Sequence, residues 1–344
     1  MIRLALCFIG FLLVSCGSEK NIPDVSGVEV KFGLFQTEKL FNTDDRDSLA
    51  ERLSTMQGYH PSFYSVYFEH VFPVGPAQNT DSLALAILDF KKQPLADTLL
   101  RLVNTKYSDL DELQKELENA FRFVKYYFPD KEAPDVYTFI SEYGLQGFIF
   151  EGNGGKDALG IGLDMYLSDV FEYKRLEPDN PGFSSYITRS WNRDHIVKKS
   201  MDVWLSDFVE PVRGNTLLDQ MISNGKKLYI LAQCMPTTND TIVFEYPNSA
   251  LDWCQHNELQ MWSFFVEKNL LQDANPIQIG KYINPSPDSP GMPREAPGRT
   301  GNYIGYKIVE AYMNKNKDVT LPQLAAETDA QKIYKLSKYK PKRN

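Results

Sequence analysis

The sequence predicts an α/β chain of the α+β kind, mostly helical with a small mixed or antiparallel sheet, and three patterns predict it. Apolar residues recur at helical spacing between 108 and 128 and in several segments after 194. Three runs of β-formers, bounded by turn residues, fall between 135 and 167. With 42% hydrophobic and 13% aromatic residues among 344, the chain has ample material for one large core or two smaller ones.

Taken in chain order, Val28 to Phe72 reads as an extended lead-in followed by helix, ending in the aromatic run Phe63-Tyr64-Ser65-Val66-Tyr67-Phe68. From Ser108 to Phe128 the residues Leu110, Leu113, Leu117, Phe121 and Val124 make one apolar stripe. Ser108 is placed to cap that helix, with Asp111 returning the bond. The strand runs are Val136–Ile140, Gly147–Phe150 and Leu159–Leu163. Asn153-Gly154-Gly155 joins the second to the third, and its tolerance of positive φ favours a tight antiparallel connection. No Gly-Lys-Ser/Thr follows it, so it does not read as a phosphate cradle.

Helical spacing returns over 194–208, with Val197, Met201, Trp204 and Phe208 on one stripe, and again over 216–232 and 250–271. Residues 281–298 form a loop with five prolines, which either lines a site or packs as structure. A last helix is expected from about Asn302 to Asn314. Gly298, Gly301 and Gly305 mark its start and a close backbone approach.

The N-terminus has a different character. Arg3 precedes the apolar run Leu4 to Val14, which ends in Leu13-Val14-Ser15-Cys16. That is a signal-peptide layout, and the run falls short of the ~20 residues a spanning helix needs. Leu-Val-Ser-Cys resembles the lipobox of bacterial lipoproteins, which implies removal of residues 1–15 and lipidation of Cys16. Residues 16–27 then suit a polar tether, and 28–344 a single domain. The basic end, Lys335 to Arg343, reads as a solvated tail or a contact for anionic lipid.

A formal net charge of −8 argues against nucleic acid as a partner. In an oxidising compartment Cys234 and Cys254 either form one bridge or remain buried thiols, and the sequence does not fix which. The histidines, at 60, 70, 195 and 256, include no His-Glu-x-x-His. In His195-Ile196-Val197-Lys198-Lys199 an isoleucine replaces the water-activating glutamate and a lysine the second ligand. No Gly-x-Ser-x-Gly elbow and no activated cysteine appear. No catalytic residue, metal site or cofactor is therefore expected. Glu258 lies near the stripe formed by Leu251, Cys254, Met261, Trp262 and Phe265, so it must either find a partner or line a cleft.

The C-terminal half resembles the gliding-motility lipoprotein GldB family. The strings that carry the resemblance are Leu217 to Tyr229, Leu251 to Glu258 with Met261-Trp262, and Ser289 to Pro293. Pro297-Gly298-Arg299, Gly305 to Val309 and Ser337 to Pro341 extend it. It implies a lipoprotein of the cell envelope, on the outer membrane, that serves gliding and its associated protein secretion machinery. The same order of elements is similar to zincin-type peptidases, which implies a zincin-like scaffold lacking the His-Glu-x-x-His motif. Where those enzymes carry a metal-binding Glu before Gly, this chain has Asn224 before Gly225, and a neutral amide is a poor substitute.

The expected activity is non-catalytic binding of other gliding and secretion envelope proteins. Trp253, Glu258, Trp262, Arg299 and Tyr303 are candidates for the binding surface, since aromatics and arginine dominate interaction hot spots. The alternative is a metal-dependent peptidase or hydrolase with an atypical ligand set such as His195, His256 and Glu258. A small-ligand or peptidoglycan-binding lipoprotein is a third reading.

Overall fold

A computed structural model of the chain describes residues 22–72, 74 and 79–343. Cys16, the signal segment and the first part of the tether lie outside the described residues. Packing begins earlier than the sequence suggests, because Val25 is already buried in the core.

Four strands form one sheet: β1 (Leu34–Gln36), β2 (Asp135–Phe139), β3 (Gly147–Glu151) and β4 (Asp157–Gly162). Their order is β1-β2-β4-β3, with β1, β2 and β4 parallel and β3 antiparallel on the edge. Gly154 and Gly155, at φ 77° and 79°, make the tight connection into β4 that the sequence predicts. The hairpin then inserts β4 between β2 and β3, so the sheet is mixed. Val136 lies beside Leu34 on one side and Leu159 on the other. That central position explains why Val136 to Phe139 of β2 are all buried.

Among the described residues five α-helices precede β2: α1 (Arg46–Tyr59), α2 (Pro61–Val66), α3 (Thr80–Lys91), α4 (Pro94–Lys106) and α5 (Asp111–Tyr127). The sequence reading gave no element between Phe72 and Ser108, yet α3 and α4 lie there. Their buried stripes, Leu83, Ala84, Ile87 and Phe90, then Ala96, Leu99 and Val103, follow helical spacing. All five expected stripe residues are buried, four of them in α5 and Leu110 just before it, but the expected capping box does not form. The helix starts at Asp111, whose N–H bonds Asp109 Oδ1 at 2.8 Å, while the carbonyl of Ser108 accepts from Lys39.

After the sheet come α6 (Ser185–Thr188), α7 (Ile196–Leu205), α8 (Leu217–Cys234), α9 (Asp240–Phe244), α10 (Asn248–His256), α11 (Glu258–Glu267) and α12 (Pro276–Ile283). Then follow α13 (Thr300–Lys315), α14 (Leu321–Ala326) and α15 (Ala330–Ser337), so the helix expected to be last is followed by two more. The segment expected as one helix over 250–271 breaks at Asn257. That residue leaves helical geometry, and its side-chain amide donates to the carbonyl of Trp253 at 2.8 Å, competing with the helical ladder. At the other end of the helical half, Thr216 and Asp219 cap α8 reciprocally.

Helices α8 and α13 cross closely. A Cβ on Gly225 would stand 2.3 Å from the carbonyl carbon of Gly305, and one on Gly305 would stand 1.8 Å from the oxygen of Met221. Only glycine allows this approach. The buried apolar residues form one connected core from Val25 to Ile333. Cys234 and Cys254 are both buried and unbridged, and burial pushes both thiols up.

The proline-rich loop is packed structure rather than an open excursion. Ser289 Oγ donates to the carbonyl of Pro297 at 2.7 Å, and Tyr282 donates to that of Pro290 at 3.0 Å. The basic C-terminal segment is likewise tied down, although its lysine side chains remain exposed. Tyr339 Oη and the Lys342 N–H both bond Glu258 Oε1, at 2.8 and 3.1 Å.

Candidate functional site

Helix α7 positions a cluster of buried charge. Asn192 caps the short 3-10 turn Arg193–His195 that leads into the helix, accepting from the Asp194 N–H at 3.1 Å and facing His195 Nδ1 at 2.8 Å. The apolar stripe Val197, Met201 and Trp204 fixes the helix against the core, and α7 packs on β3, β4 and α8. This orientation drives two consecutive lysines inward. Lys198 is 4% exposed and donates to Glu245 Oε1 at 2.8 Å and to Asp202 Oδ2. Lys199 donates to the same Glu245 oxygen at 3.0 Å.

Glu245 ends α9 in the left-handed region, at φ 54°. Its second oxygen accepts from Arg299 Nη1 at 3.2 Å, and Arg299 Nη2 donates to the carbonyls of Phe244 and Glu245. Arg299, at φ 62°, is itself left-handed at the start of α13. Two non-glycine residues in this sparsely populated conformation thus face each other across an ion pair.

Burial alone would raise the Glu245 carboxyl, but Lys198, Lys199 and Arg299 outweigh it and hold the group well below the usual carboxylate range. Burial would lower Lys198, yet Asp202 and Glu245 raise it. For Lys199 burial wins and the ammonium is lowered. His195 is pushed down to about 4, first by burial and then by both lysines, against the pull of Glu245.

A cleft of about 290 Å³ opens on this cluster, lined by Lys198, Asp202, Asn224, Phe244, Arg299 and Tyr303 among others. Two of the five surface candidates, Arg299 and Tyr303, therefore meet here. Tyr303 is only 2% exposed and packs its ring 5.4 Å from Phe244, so it shapes the cleft wall and is not a protruding anchor. Asn224 is also present, with Nδ2 donating to Asn302 Oδ1 at 2.8 Å.

The other three candidates lie elsewhere. Glu258 and Trp262 come together, but around the chain's own C-terminus, with the Trp262 ring 5.4 Å from Tyr339 and 5.8 Å from Tyr334. Trp253 is half-buried against the core. The alternative ligand set is not assembled either. His195 faces Asn192, His256 Nδ1 faces the carbonyl of Asp252 at 2.7 Å, and Glu258 holds the C-terminal segment. Among the described residues no three His, Cys, Asp or Glu side chains gather closely enough to hold a metal ion.

Sequence reasoning named Lys199 only as a replacement and missed Glu245, Asp202 and Asn302. The available signal was a pair of lysines on an otherwise apolar helical stripe, which requires buried counter-charges.

Residues 18–341 match the family described as Gliding motility protein GldB. The chain belongs to the GldB family. It is a gliding motility protein, and the matched region includes every element of the cluster around Glu245. No solved structure matches the chain. Among the described residues no helix is long and apolar enough to cross a membrane.

Proposed function

We propose that this GldB-family chain is an outer-membrane lipoprotein, held by lipid on Cys16, that serves gliding and its secretion machinery by binding other envelope proteins and not by catalysis. On this reading the body is a peptidase-like scaffold without its metal. The observation that carries the proposal is the charge at α7. Three cations, Lys198, Lys199 and Arg299, converge on Glu245, and the adjoining cleft also holds Asn224, the position at which the likeness to zincin peptidases would call for a metal-binding Glu. At a separation of ~4 Å and an effective dielectric of ~20, a divalent ion would be repelled by each of these cations by about 8 kcal/mol. Glu245 and Asp202 offset two of those three charges, so the cluster still repels a cation with a net charge of about +1.

Family membership supports the gliding role, and the lipobox at Cys16 supports the anchor. In-cell crosslinking from Lys227, which lines the cleft, followed by mass spectrometry is expected to recover other envelope proteins of the motility and secretion apparatus. Purified chain that carries stoichiometric zinc and cleaves peptides in a chelator-sensitive manner would overturn the proposal.

A further inference from the structure

A second cleft, of about 650 Å³, borders the charge cluster at Lys199 and Asp202, between α7 and the turn that leads into β3. One wall is apolar: Met165, Phe183, Ile187, Trp191 and Val203. Three of its other residues carry a buried polar atom without any hydrogen-bond partner, namely Tyr143 Oη, Gln146 Nε2 and Ser200 Oγ. Tyr143 and Ser200 are each only 4% exposed. Buried polar atoms are nearly always paired, so three orphans in the walls of one cleft are donors that a small side-chain shift would bring to an occupant carrying acceptors.

Tyr143 is also held there at a conformational cost. Glu142 and Tyr143 are consecutive left-handed residues, at φ 54° and 64°, and the buried Asp164 carboxylate ties the turn by accepting from the N–H of Ser141 and of Tyr143 at 3.1 and 2.6 Å. Such strain is retained where the surroundings over-determine it, most often at ligand sites.

Charge fixes the rest of the ligand's chemistry. Lys199, with a side chain 15% exposed, lines the cleft, and its ammonium has donors beyond its single bond to Glu245. Asp202 also lines the cleft, but its carboxylate is engaged by Lys198. Lys198, Lys199 and Arg299 outnumber Glu245 and Asp202, so the cluster is left positive.

We propose that this cleft binds a small amphiphile, a carboxylate joined to an aromatic or branched apolar body. The carboxylate meets Lys199 and the orphaned donors, and the apolar body lies against Phe183 and Trp191. This goes beyond partner binding and is independent of it, since either property can hold without the other.

The test is calorimetric titration of the mature lipidated chain in nanodiscs with 3-phenylpropanoate and with its neutral amide, against empty nanodiscs. The acid is expected to bind roughly tenfold more tightly than the amide, as befits one charge-assisted hydrogen bond. Lys199→Gln is expected to abolish that preference. Tyr143→Phe and Ser200→Ala remove atoms that no protein group bonds, so each should weaken the acid without lowering Tm. Equal binding of acid and amide, binding unaffected by all three variants, or no binding at millimolar concentration would each overturn the proposal.

Discussion

Replacing Lys226 by methionine tests whether one buried ammonium holds the C-terminal helices to the body. Lys226 is 0% exposed on α8, and its Nζ donates to the carbonyls of Glu210 at 2.9 Å, of Ala325 at 3.2 Å and of Glu327. Methionine keeps the length and the apolar stem but leaves three carbonyls facing a methyl group. Each orphaned buried acceptor costs about 1–3 kcal/mol, and partial relaxation favours the lower end, so we expect a loss of about 3–5 kcal/mol. For a chain of this size that lowers Tm by about 4–7 °C.

The variant should also lose a pH dependence. Burial, against the pull of Glu327 and Glu210, lowers the Lys226 ammonium from 10.5 to about 8. Between those values the unfolded chain keeps a proton that the folded chain has released. This group therefore makes stability rise with pH across that window, by up to about 3 kcal/mol. Chemical denaturation at pH 7 and at several values up to 9.5 measures both effects, and hydrogen exchange locates them. Faster exchange is expected over residues 321–328, with the sheet unchanged. A loss below about 1 kcal/mol, or an alkaline slope equal to that of the parent, would refute the reasoning.

His195 and Asp164 should oppose each other on acidification. His195, lowered to about 4 from 6.5, resists a proton that the unfolded chain accepts, so it contributes destabilisation as pH falls across that window. Asp164, raised by burial to about 6 from 3.8, takes up its proton first in the folded state and contributes the reverse. Denaturation curves from pH 7 to 4 should show His195→Gln gaining stability relative to the parent and Asp164→Asn losing it. Gly305→Ala places a methyl within 1.8 Å of the Met221 carbonyl oxygen and should lose about 3 kcal/mol or more, read as a fall in Tm. Tyr339→Phe removes one of the two hydrogen bonds to Glu258 and should speed tryptic cleavage at Lys338 to Arg343 without lowering Tm by more than a few degrees. Cys16→Ala should move the protein from the membrane to the soluble fraction on cell fractionation.

The charge cluster could not be assembled from the sequence because its members are scattered. Lys198, Glu245 and Arg299 meet within 3.2 Å although each comes from a different element. Nothing local marks Glu245 as their common partner. The surface candidates were chosen by residue type, and type alone does not tell an exposed aromatic from Tyr303, which is buried, or from Trp262, which packs on the chain's own end. The helices α3 and α4 did carry their signal, in stripes of ordinary spacing.

By itself the sequence determined what depends on near neighbours: the apolar stripes of α5 and α7, the three strands after Pro134 and the Gly154-Gly155 connection. Periodicity and turn chemistry act over a few residues, so they can be read directly. The tertiary structure alone decided that β4 inserts between β2 and β3, that Glu258 clasps the C-terminus, and that three cations share one buried carboxylate. Those outcomes depend on how distant segments share a limited interior, where a charge taken out of water must find an opposite charge wherever the packing brings one.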